Sequence, residues 1–319
     1  MRPLKIGVLG ASRVAVFAML EPAAGFDDIE VAAVAARDPE RARAYATTHK
    51  IGRVEPDYEA LISAPDLDLI YISTPANAHA EHALAAIAAG KPVLVEKPFA
   101  LNAAQAQTVY DAGLQAGVPV FEAMHSPHHR LFARILEILD SGEIGPVRKI
   151  DAVFGAPIER NDPVRWSAEL GGGALMDLGV YPLAWIRRIA GEAFTVISAS
   201  QEREDGVDAS FQAVLAFAAG VEARAYASMT IERPTARLLI EGERGVLMAL
   251  NPLAPQMGHA LTVKVGGQTR TETVDGASSY AEQLTAVRAT LVEGADFPFP
   301  ADDYVLSMRA IDMVRAAMS

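Results

Sequence analysis

The sequence predicts an α/β protein with two domains, a parallel sheet in the first and an antiparallel sheet in the second. Up to residue 123, short apolar runs alternate with alanine-rich helical stretches, which is typical of βαβ units. From Met124 onward, apolar and polar residues alternate in longer runs joined by glycine-containing turns, which indicates antiparallel hairpins. A chain of 319 residues is long enough for two such cores.

The first half contains five apolar runs that we predict to be strands: residues 6–9, 29–36, 69–73, 92–95 and 118–121. Helices are predicted between them, including residues 77–89 and 103–116. Gly90 and Gly117 directly follow these two helices, as expected of helix C-termini, and Asn102 can cap the second. The pattern therefore favours a parallel sheet covered by helices.

The second half is predicted to begin a hairpin at residues 207–217 and 221–231, which turns at Ala218-Ala219-Gly220. A second hairpin is expected to turn at residues 242–245, and helices are expected near 279–293 and 302–318. We place the domains at residues 1–123 and 124–319, with the final helix able to pack back on the first domain.

Composition excludes several classes of function. The chain has 40 acidic and 28 basic side chains, a formal charge of −12, which disfavours nucleic acid or an anionic membrane as partner. It has no cysteine, so disulfides and thiolate chemistry are excluded. The first apolar run is too short for a signal peptide, and no apolar stretch approaches the ~20 residues of a membrane helix. We expect a cytoplasmic protein.

A dinucleotide-binding pattern follows the first predicted strand. The run Gly10-Ala11-Ser12-Arg13-Val14-Ala15 matches G-x-G-x-x-G/A except that Ser12 replaces the second glycine. Glycine at position 10 permits the tight turn, and the small final residue permits close packing of helix on strand. The serine adds a side chain near the cofactor pyrophosphate, but its hydroxyl can bind a phosphate oxygen. Gly10, Ser12, Arg13 and Val14 are the expected cofactor contacts; an ordinary turn of small residues is the alternative.

The end of the second predicted strand favours NADP(H) over NAD(H). An NAD site usually has Asp or Glu there to bind the ribose 2′-hydroxyl, whereas this chain has Ala36 followed by Arg37. Arginine suits a 2′-phosphate because it makes two charge-assisted hydrogen bonds, and Arg13 and Arg41 can add to it. Asp38 is a contrary indication, but we expect it to cap the next helix. NAD remains a possible second cofactor.

Glu96-Lys97-Pro98 ends the strand predicted at residues 92–95. In an open α/β sheet, ligands bind outside the carboxyl ends of the strands. Lys97 is therefore placed to direct a cation at a cofactor or a substrate oxygen. A surface lysine beside a turn proline is the alternative.

A second candidate site surrounds Tyr181. Three glycines at residues 171–173 allow a ligand to approach the backbone, and Asp177 and Tyr181 share one helix face because they are four residues apart. A tyrosine exchanges protons near neutral pH only if its pKa falls from about 10, and a nearby lysine such as Lys97 has that effect. The alternative is a Tyr181 packed in the core with its hydroxyl satisfied.

Taken together, these motifs resemble the Gfo/Idh/MocA oxidoreductase family over essentially the whole chain. Thr74-Pro75-Ala76-Asn77-Ala78-His79 and residues 88–93 also fit the family pattern. Glu122-Ala123 and residues 165–170 most resemble the branch with dihydrodiol dehydrogenases and NADP-dependent xylose or glucose 1-dehydrogenases.

The resemblance implies an N-terminal Rossmann domain with a doubly wound parallel sheet and a C-terminal α+β domain with an open, mainly antiparallel sheet. It implies hydride transfer between nicotinamide and a sugar, polyol or dihydrodiol, in a homodimer or homotetramer formed through that sheet. Lys97 would orient the nicotinamide and polarise the substrate oxygen, Tyr181 would be the acid/base, and Asp177 would orient the substrate. The remaining implied cofactor contacts are Thr74, Pro75, Asn77, His79 and Glu96, and Pro98 would follow a cis peptide bond.

The chain departs from this branch at residues 124–130, where the branch has an aromatic–arginine pair. We expect His125 and Trp166 to contact the substrate, and His129 to cap a helix or pack in the core. A metal site is disfavoured because the adjacent His128 and His129 cannot easily face one ion and no acidic ligand accompanies them. Two other functions remain open: a nucleotide-sensing regulatory protein without catalysis, and a reductase of a non-sugar substrate.

Overall fold

The computed structural model describes residues 2–318, which form two compact units. The first comprises the chain up to Ala123 together with Tyr280–Met308, and the second comprises Met124–Ser279 and the chain from Arg309. Residues 280–308 belong to the first unit because their apolar side chains complete its core. Leu284 and Val287 are buried there, and the rings of Phe297 and Phe121 lie 4.8 Å apart.

The first unit is built on a six-stranded parallel sheet. Its strands are β1 (Leu4–Leu9), β2 (Ile29–Ala35), β3 (Arg53–Val54), β4 (Leu69–Ile72), β5 (Val93–Glu96) and β6 (Val120–Ala123). Their order is β3-β2-β1-β4-β5-β6, so the direction of winding reverses between β1 and β4. This is the doubly wound sheet that was expected, with its ligand crevice at the carboxyl ends of β1 and β4. Strand β3 was missed because two residues carry no periodic pattern.

Helices connect these strands. They are α1 (Arg13–Ala15), which continues through a π-helical turn at Val16–Leu20 into α2 (Glu21–Ala23), then α3 (Pro39–His49), α4 (Tyr58–Ser63), α5 (His79–Ala88) and α6 (Ala103–Ala116). Asn102 caps α6 by accepting the N–H of Gln105, and Gly117 ends that helix with φ +64°. Both ends were predicted from the residue types.

The second unit contains an eight-stranded sheet. Its strands are β7 (Val147–Gly155), β8 (Phe194–Glu204), β9 (Val207–Phe217), β10 (Glu222–Ser228), β11 (Thr235–Gly242), β12 (Gly245–Leu250), β13 (Ala260–Val265) and β14 (Gln268–Glu272). The order is β14-β13-β12-β11-β7-β10-β9-β8, antiparallel except where β7 and β10 run parallel. Both predicted hairpins, β9–β10 and β11–β12, are confirmed.

Two helices of the second unit follow the segments that bear candidate residues: α7 (Arg130–Asp140) and α8 (Val180–Ala190). Helix α8 packs against β7 and β10. Side chains alternate between the two faces of β10, and Ala223, Ala225 and Ala227 are buried on one face. Two further helices, α9 (Ser279–Arg288) and α10 (Asp303–Ala317), lie in the C-terminal part of the chain. Within residues 2–318, none of the helices combines the length and apolar character needed to cross a membrane.

Candidate active site

The turn after β1 has room for glycine only. Gly10 has φ +108°, and a Cβ on it would lie 3.0 Å from the carbonyl oxygen of Ser73, which follows β4. The backbone of Gly10 therefore meets the loop after β4 at the point where the strand order reverses. A larger residue would be strained there by its backbone conformation and would also crowd this loop.

Ser12, which replaces the usual second glycine, stabilises the turn. Its Oγ accepts the N–H of Ala15 at 3.1 Å and so caps α1. The hydroxyl of Tyr45 donates to the carbonyl oxygen of Ser12 at 3.0 Å, and Arg41 Nη2 donates to that of Ala11 at 2.8 Å. Burial raises the pKa of Tyr45 to about 12, which keeps its hydroxyl a donor. Serine is compatible with the fingerprint because its hydroxyl bonds within the loop.

The end of β2 carries no carboxylate available in the ribose position. Ala36 is buried, Arg37 is exposed, and Arg37 donates its backbone N–H to the hydroxyl of Tyr58 at 3.1 Å. Asp38 caps α3, because its Oδ1 accepts the N–H groups of Glu40 at 2.9 Å and of the next residue at 3.4 Å. The predicted capping role of Asp38 is confirmed. Arg13, at the start of α1, is exposed and Val14 is half-buried.

His79 joins two loops at the carboxyl edge of the sheet. Its Nε2 lies 2.7 Å from the carbonyl oxygen of Thr74, which follows β4, and its Nδ1 lies 2.9 Å from that of Pro98, which follows β5. Burial lowers the pKa of His79 to about 4, so the neutral ring donates to only one of these carbonyls at a time. Because the ring is 1% exposed and both nitrogens face the main chain, His79 supports the loops rather than presenting a polar group to a cofactor.

Three other residues that were expected to contact the cofactor, Thr74, Pro75 and Asn77, lie in the segment between β4 and α5. Thr74 and Pro75 are half-buried, and Thr74 Oγ1 lies 3.2 Å from Nδ1 of His82. Asn77 is exposed in the turn that precedes α5. Thr74, Pro75 and Asn77 are therefore accessible to a ligand, in contrast to His79.

Glu96 fixes the position at which Lys97 leaves β5. Its Oε1 accepts the hydroxyl of Tyr71 at 2.5 Å and its Oε2 accepts the backbone N–H of Lys97 at 3.2 Å. Burial, and then the charge of Glu96, raises the pKa of Tyr71 well above its usual value, so the phenol stays protonated and donates. Lys97 is half-buried and the Lys97–Pro98 peptide bond is cis, as the family resemblance implied. Tyr71 was not identified beforehand as the partner of Glu96, because no local pattern relates the two residues.

Tyr181 lies in the first turn of α8 and is 6% exposed. Its hydroxyl lies 3.1 Å from Nε2 of His125. Its ring packs edge-on against Phe154 of β7, with centroids 5.5 Å apart, and 6.3 Å from the ring of Trp185. The packing restrains the ring, while the hydroxyl has a partner able to accept or donate a proton.

His125 has a second partner on its other nitrogen. Its Nδ1 lies 2.8 Å from Oγ of Ser279, at the start of α9. Ser279 in turn directs both its backbone N–H and its Oγ at Oε1 of Gln256, at 3.3 and 3.2 Å. The expectation for His125 was substrate contact, and neither Ser279 nor Gln256 was identified, since no local pattern relates residues so distant in the chain.

The glycines before Tyr181 serve packing within the unit. A Cβ on Gly172 would lie 2.3 Å from the carbonyl oxygen of Arg165, and one on Gly173, which has φ +102°, would lie 2.1 Å from Oδ1 of Asp208. Asp208 also accepts the N–H of Leu175 at 2.6 Å. The interpretation that these two glycines leave space for a ligand was wrong, because protein atoms already fill that space.

Asp177 lies in a π-helical turn, Leu175–Gly179, that leads into α8. Its Oδ2 lies 3.2 Å from Nε of Arg165, whose side chain is 42% exposed. The ion pair links Asp177 to the preceding loop. Arg165 is thus a residue of the site that sequence reasoning had used only for the family resemblance.

Trp166, expected to contact the substrate, and His129 both form hydrogen bonds within the second unit. Trp166 donates its indole N–H to the carbonyl oxygen of Glu159 at 3.0 Å, and the guanidinium of Arg160 lies 4.0 Å from its ring centroid. His129 caps α7 by accepting the N–H of Leu131, as expected. Among residues 2–318, no three His, Cys, Asp or Glu side chains are grouped so as to hold a metal ion.

Comparison with known families finds a match for each half of the chain. Residues 4–124 match the oxidoreductase family with an NAD-binding Rossmann fold. Residues 132–248 match the GFO/IDH/MocA C-terminal domain. The two matches include Lys97 in the first segment and Tyr181 in the second.

Individual relatives extend over nearly the whole chain. The dTDP-3,4-didehydro-2,6-dideoxy-alpha-D-glucose 3-reductase of Streptomyces violaceoruber is 34% identical over 92% of this chain and 85% of its own length. The D-xylose 1-dehydrogenase (NADP(+)) 2 of Haloferax volcanii is 31% identical over 98% of this chain and 96% of its own. The crystal structure of a 3-ketoreductase from Actinomadura kijaniata in complex with NADP and TDP-benzene has a TM-score of 0.92 at 26% identity, covering 99% of this chain and 98% of that one.

Proposed function

Because this chain belongs to the Gfo/Idh/MocA family of oxidoreductases, we propose that it transfers a hydride between NADP(H) and a carbinol or carbonyl carbon of a sugar-type substrate. The observation that carries the proposal is the buried Tyr181 hydroxyl, held 3.1 Å from His125 in the unit that matches the family's C-terminal domain. A buried tyrosine beside a histidine can exchange a proton with a substrate oxygen.

The substrate class follows from the two named relatives. One reduces a ketosugar carried by dTDP and the other oxidises D-xylose, so a sugar carbon bearing oxygen is common to both. D-xylose and a dTDP-linked 3-ketosugar are therefore the first probes. The ketosugar was not anticipated from the sequence, which favoured free sugars, polyols or dihydrodiols.

NADP(H) is the proposed cofactor because of the end of β2. Asp38 is used to cap α3, and the exposed Arg37 is the charged side chain beside the position of the ribose 2′ group. The Gly10 turn fits a dinucleotide, since the Cβ of any other residue would crowd the loop after β4. The structure of the related 3-ketoreductase is a complex with NADP, and the related xylose dehydrogenase is NADP(+)-dependent by name.

The bound cofactor supplies or receives the hydride, and the chain supplies the proton chemistry. Tyr181 gives a proton to the substrate oxygen in reduction and takes one in oxidation. Lys97, on the loop fixed by Glu96 and His79, orients the nicotinamide and polarises the substrate oxygen. Asp177, paired with Arg165, orients the substrate.

The test combines binding with turnover. Protein fluorescence is recorded while NADPH or, separately, NADH is added. Turnover with D-xylose and with the dTDP-ketosugar is followed by the absorbance of reduced nicotinamide at 340 nm. We expect tighter binding of NADPH and, for Tyr181→Phe, turnover reduced by roughly 10²-fold or more at unchanged cofactor affinity. Equal affinity for the two cofactors would refute the preference, and unchanged turnover of the variant would refute the role of Tyr181.

The partners proposed are a small-molecule substrate and further copies of the chain. The face of the second sheet opposite α8 would form the homodimer or homotetramer contact. Arg224 and Tyr226 lie on this face of β10, and Asp151 of β7 pairs with Arg224 at 2.5 Å. If the protein sediments as a single species of 33.9 kDa, the mass of one chain, the proposed assembly is refuted.

A further inference from the structure

We propose that His125 is the proton partner of Tyr181: a positioning residue that holds the tyrosine hydroxyl and exchanges its proton during each turnover. Ser279 and Gln256 fix the tautomer in which it does so. The inference rests on the proposed acid–base role of Tyr181 and assigns His125 a different role from the substrate contact expected of it.

Gln256, Ser279, His125 and Tyr181 form a continuous series of hydrogen bonds, and the donor in each bond follows from the one at Gln256. The backbone N–H of Ser279 can only donate, so the amide atom of Gln256 that it faces is the oxygen Oε1. The hydroxyl of Ser279 faces the same oxygen at 3.2 Å and therefore donates to it as well. Having one proton, this hydroxyl must accept from His125, so Nδ1 of His125 carries a proton.

The neutral form of His125 then has an unprotonated Nε2. That nitrogen lies 3.1 Å from the hydroxyl of Tyr181, so Tyr181 donates its proton to His125 in the resting enzyme. The tyrosine oxygen can then accept a proton from a substrate hydroxyl as it gives its own to His125. This arrangement prepares Tyr181 to act as a base, with His125 receiving the proton that the tyrosine releases.

The same contacts also accommodate the protonated ring. An imidazolium at His125 donates through Nδ1 to Ser279, as before, and through Nε2 to the oxygen of Tyr181, so only the bond between His125 and Tyr181 reverses. In this state Tyr181 donates its own proton to a substrate. Ser279 and Gln256 keep their hydrogen bonds in both states, so the proton passes between Tyr181 and His125 without any change in the other bonds.

In oxidation the substrate carbinol carbon would lose a hydride, with its electron pair, to NADP⁺ when that cofactor is bound. The substrate hydroxyl proton passes to the oxygen of Tyr181, and the former tyrosine proton passes to Nε2 of His125, giving a carbonyl and an imidazolium. Reduction reverses each transfer. Between turnovers the extra proton returns through Tyr181 to water in the emptied site.

Burial and the neighbouring groups favour this role. His125 is 2% exposed and Ser279 is fully buried, so water does not compete for these bonds. Tyr181 faces the ring from α8, and the uncharged Ser279 and Gln256 lie on its other side, in α9 and the loop before it. The neighbouring titratable residues have other surroundings. Burial, and then the charge of Arg188, lower the pKa of His128 to about 3, so its ring is neutral. His129 accepts the N–H of Leu131 and packs near His259, and Arg130 is exposed.

The first arm of the test needs no substrate. Long-range ¹H–¹⁵N spectra of the whole protein report the tautomer of each of its seven histidines, and the signal of His125 is identified by its loss in His125→Asn. We expect His125 in the Nδ1–H tautomer in the wild type and a mixture of tautomers in Ser279→Ala. An Nε2–H tautomer in the wild type would overturn the inference.

The second arm uses the pH dependence of turnover with NADP⁺ and D-xylose, and with NADPH and the dTDP-ketosugar. Asparagine at position 125 can still bond Tyr181 but cannot take up a proton. We expect His125→Asn to lower kcat by roughly 10²-fold, to leave cofactor affinity unchanged, and to abolish the acid limb of the oxidative kcat profile, because the variant has no ring nitrogen to receive the proton. His49→Asn, at the end of α3, serves as the control and should keep the wild-type profile.

The outcomes separate the two proposals. If Tyr181→Phe is slow but His125→Asn keeps the wild-type turnover and profile, the inference about His125 is wrong and the proposed function stands. If Tyr181→Phe turns over normally, the acid–base role of Tyr181 fails. In that event the tautomer measured in the first arm still decides whether the chain of hydrogen bonds is as described.

Discussion

Gly10 and Ser73 bring the carboxyl ends of β1 and β4 into direct contact: a methyl group on Gly10 would lie 3.0 Å from the carbonyl oxygen of Ser73. The serine hydroxyl also donates back to the carbonyl oxygen of Gly10 at 3.1 Å. The contact lies where the strand order reverses, which is the position of the dinucleotide in such sheets.

Replacing Gly10 with Ala should therefore harm both stability and cofactor binding. The φ of +108° strains any residue with a side chain, at a cost of about 1–3 kcal/mol. Urea denaturation should show this loss of unfolding free energy, and NADPH titration should show weakened binding. Gly52→Ala is the matched control, since nothing lies within 4 Å of its Cβ position. A Gly10→Ala protein as stable as Gly52→Ala would contradict the strain.

Replacing Arg37 with Ala should weaken NADPH binding and spare NADH binding. A charge-assisted hydrogen bond to a 2′-phosphate contributes about 1.5–3 kcal/mol, so the Kd for NADPH should rise roughly tenfold or more. Arg43, an exposed arginine of α3 that pairs with Glu40, provides the control Arg43→Ala. A parallel rise in both Kd values for Arg37→Ala would show that the residue does not distinguish the cofactors.

The stability of the protein should fall as the pH falls from about 6.5 to 4, in part because of His79. Burial lowers its pKa in the folded state to about 4, so the unfolded chain, whose histidines titrate near 6.5, binds a proton that the folded chain does not. This one group contributes a slope of about 1.4 kcal/mol per pH unit in that window. Denaturation at several pH values should give a shallower slope for His79→Gln than for the wild type, whereas His49→Gln should retain the wild-type slope.

Replacing Gly173 with Ala should destabilise the second unit. The added Cβ would lie 2.1 Å from Oδ1 of Asp208, and the φ of +102° adds strain of about 1–3 kcal/mol. The thermal transition of the variant should be lowered, and Asp208→Ala in the same background should recover part of the loss by removing the clash. If the double variant is no more stable than Gly173→Ala, the whole loss of stability comes from the strained backbone conformation.

Much of the fold is predictable because its signals are local. The runs that became β1, β2, β4, β5 and β6 are apolar and separated by helices of ordinary length, and a parallel sheet is the architecture compatible with that alternation. Capping by Asn102 and Asp38 likewise depends on a few adjacent residues. The Gly10 turn could be recognised for the same reason, since its conformation is a requirement of the backbone.

The arrangement of the candidate site was only partly predictable. Tyr181, Lys97 and Asp177 could be singled out as chemically able side chains, but their partners could not. Ser279 is 154 residues from His125, and Arg165 and Tyr71 carry no feature that marks them as partners of Asp177 and Glu96. Such contacts depend on how distant elements pack, because a hydrogen bond requires only that two polar atoms meet.

By itself, the sequence determined five of the six strands of the first sheet, two hairpins of the second, the caps, the dinucleotide turn and the family to which the chain belongs. These follow from side-chain size, backbone freedom and periodicity over a few residues. Only the tertiary structure decided that His79 bonds two loops, that Gly172 and Gly173 make room for protein atoms, and that His125 faces Tyr181. The physical reason is that burial and the pairing of donors with acceptors are settled when segments far apart in the chain come together.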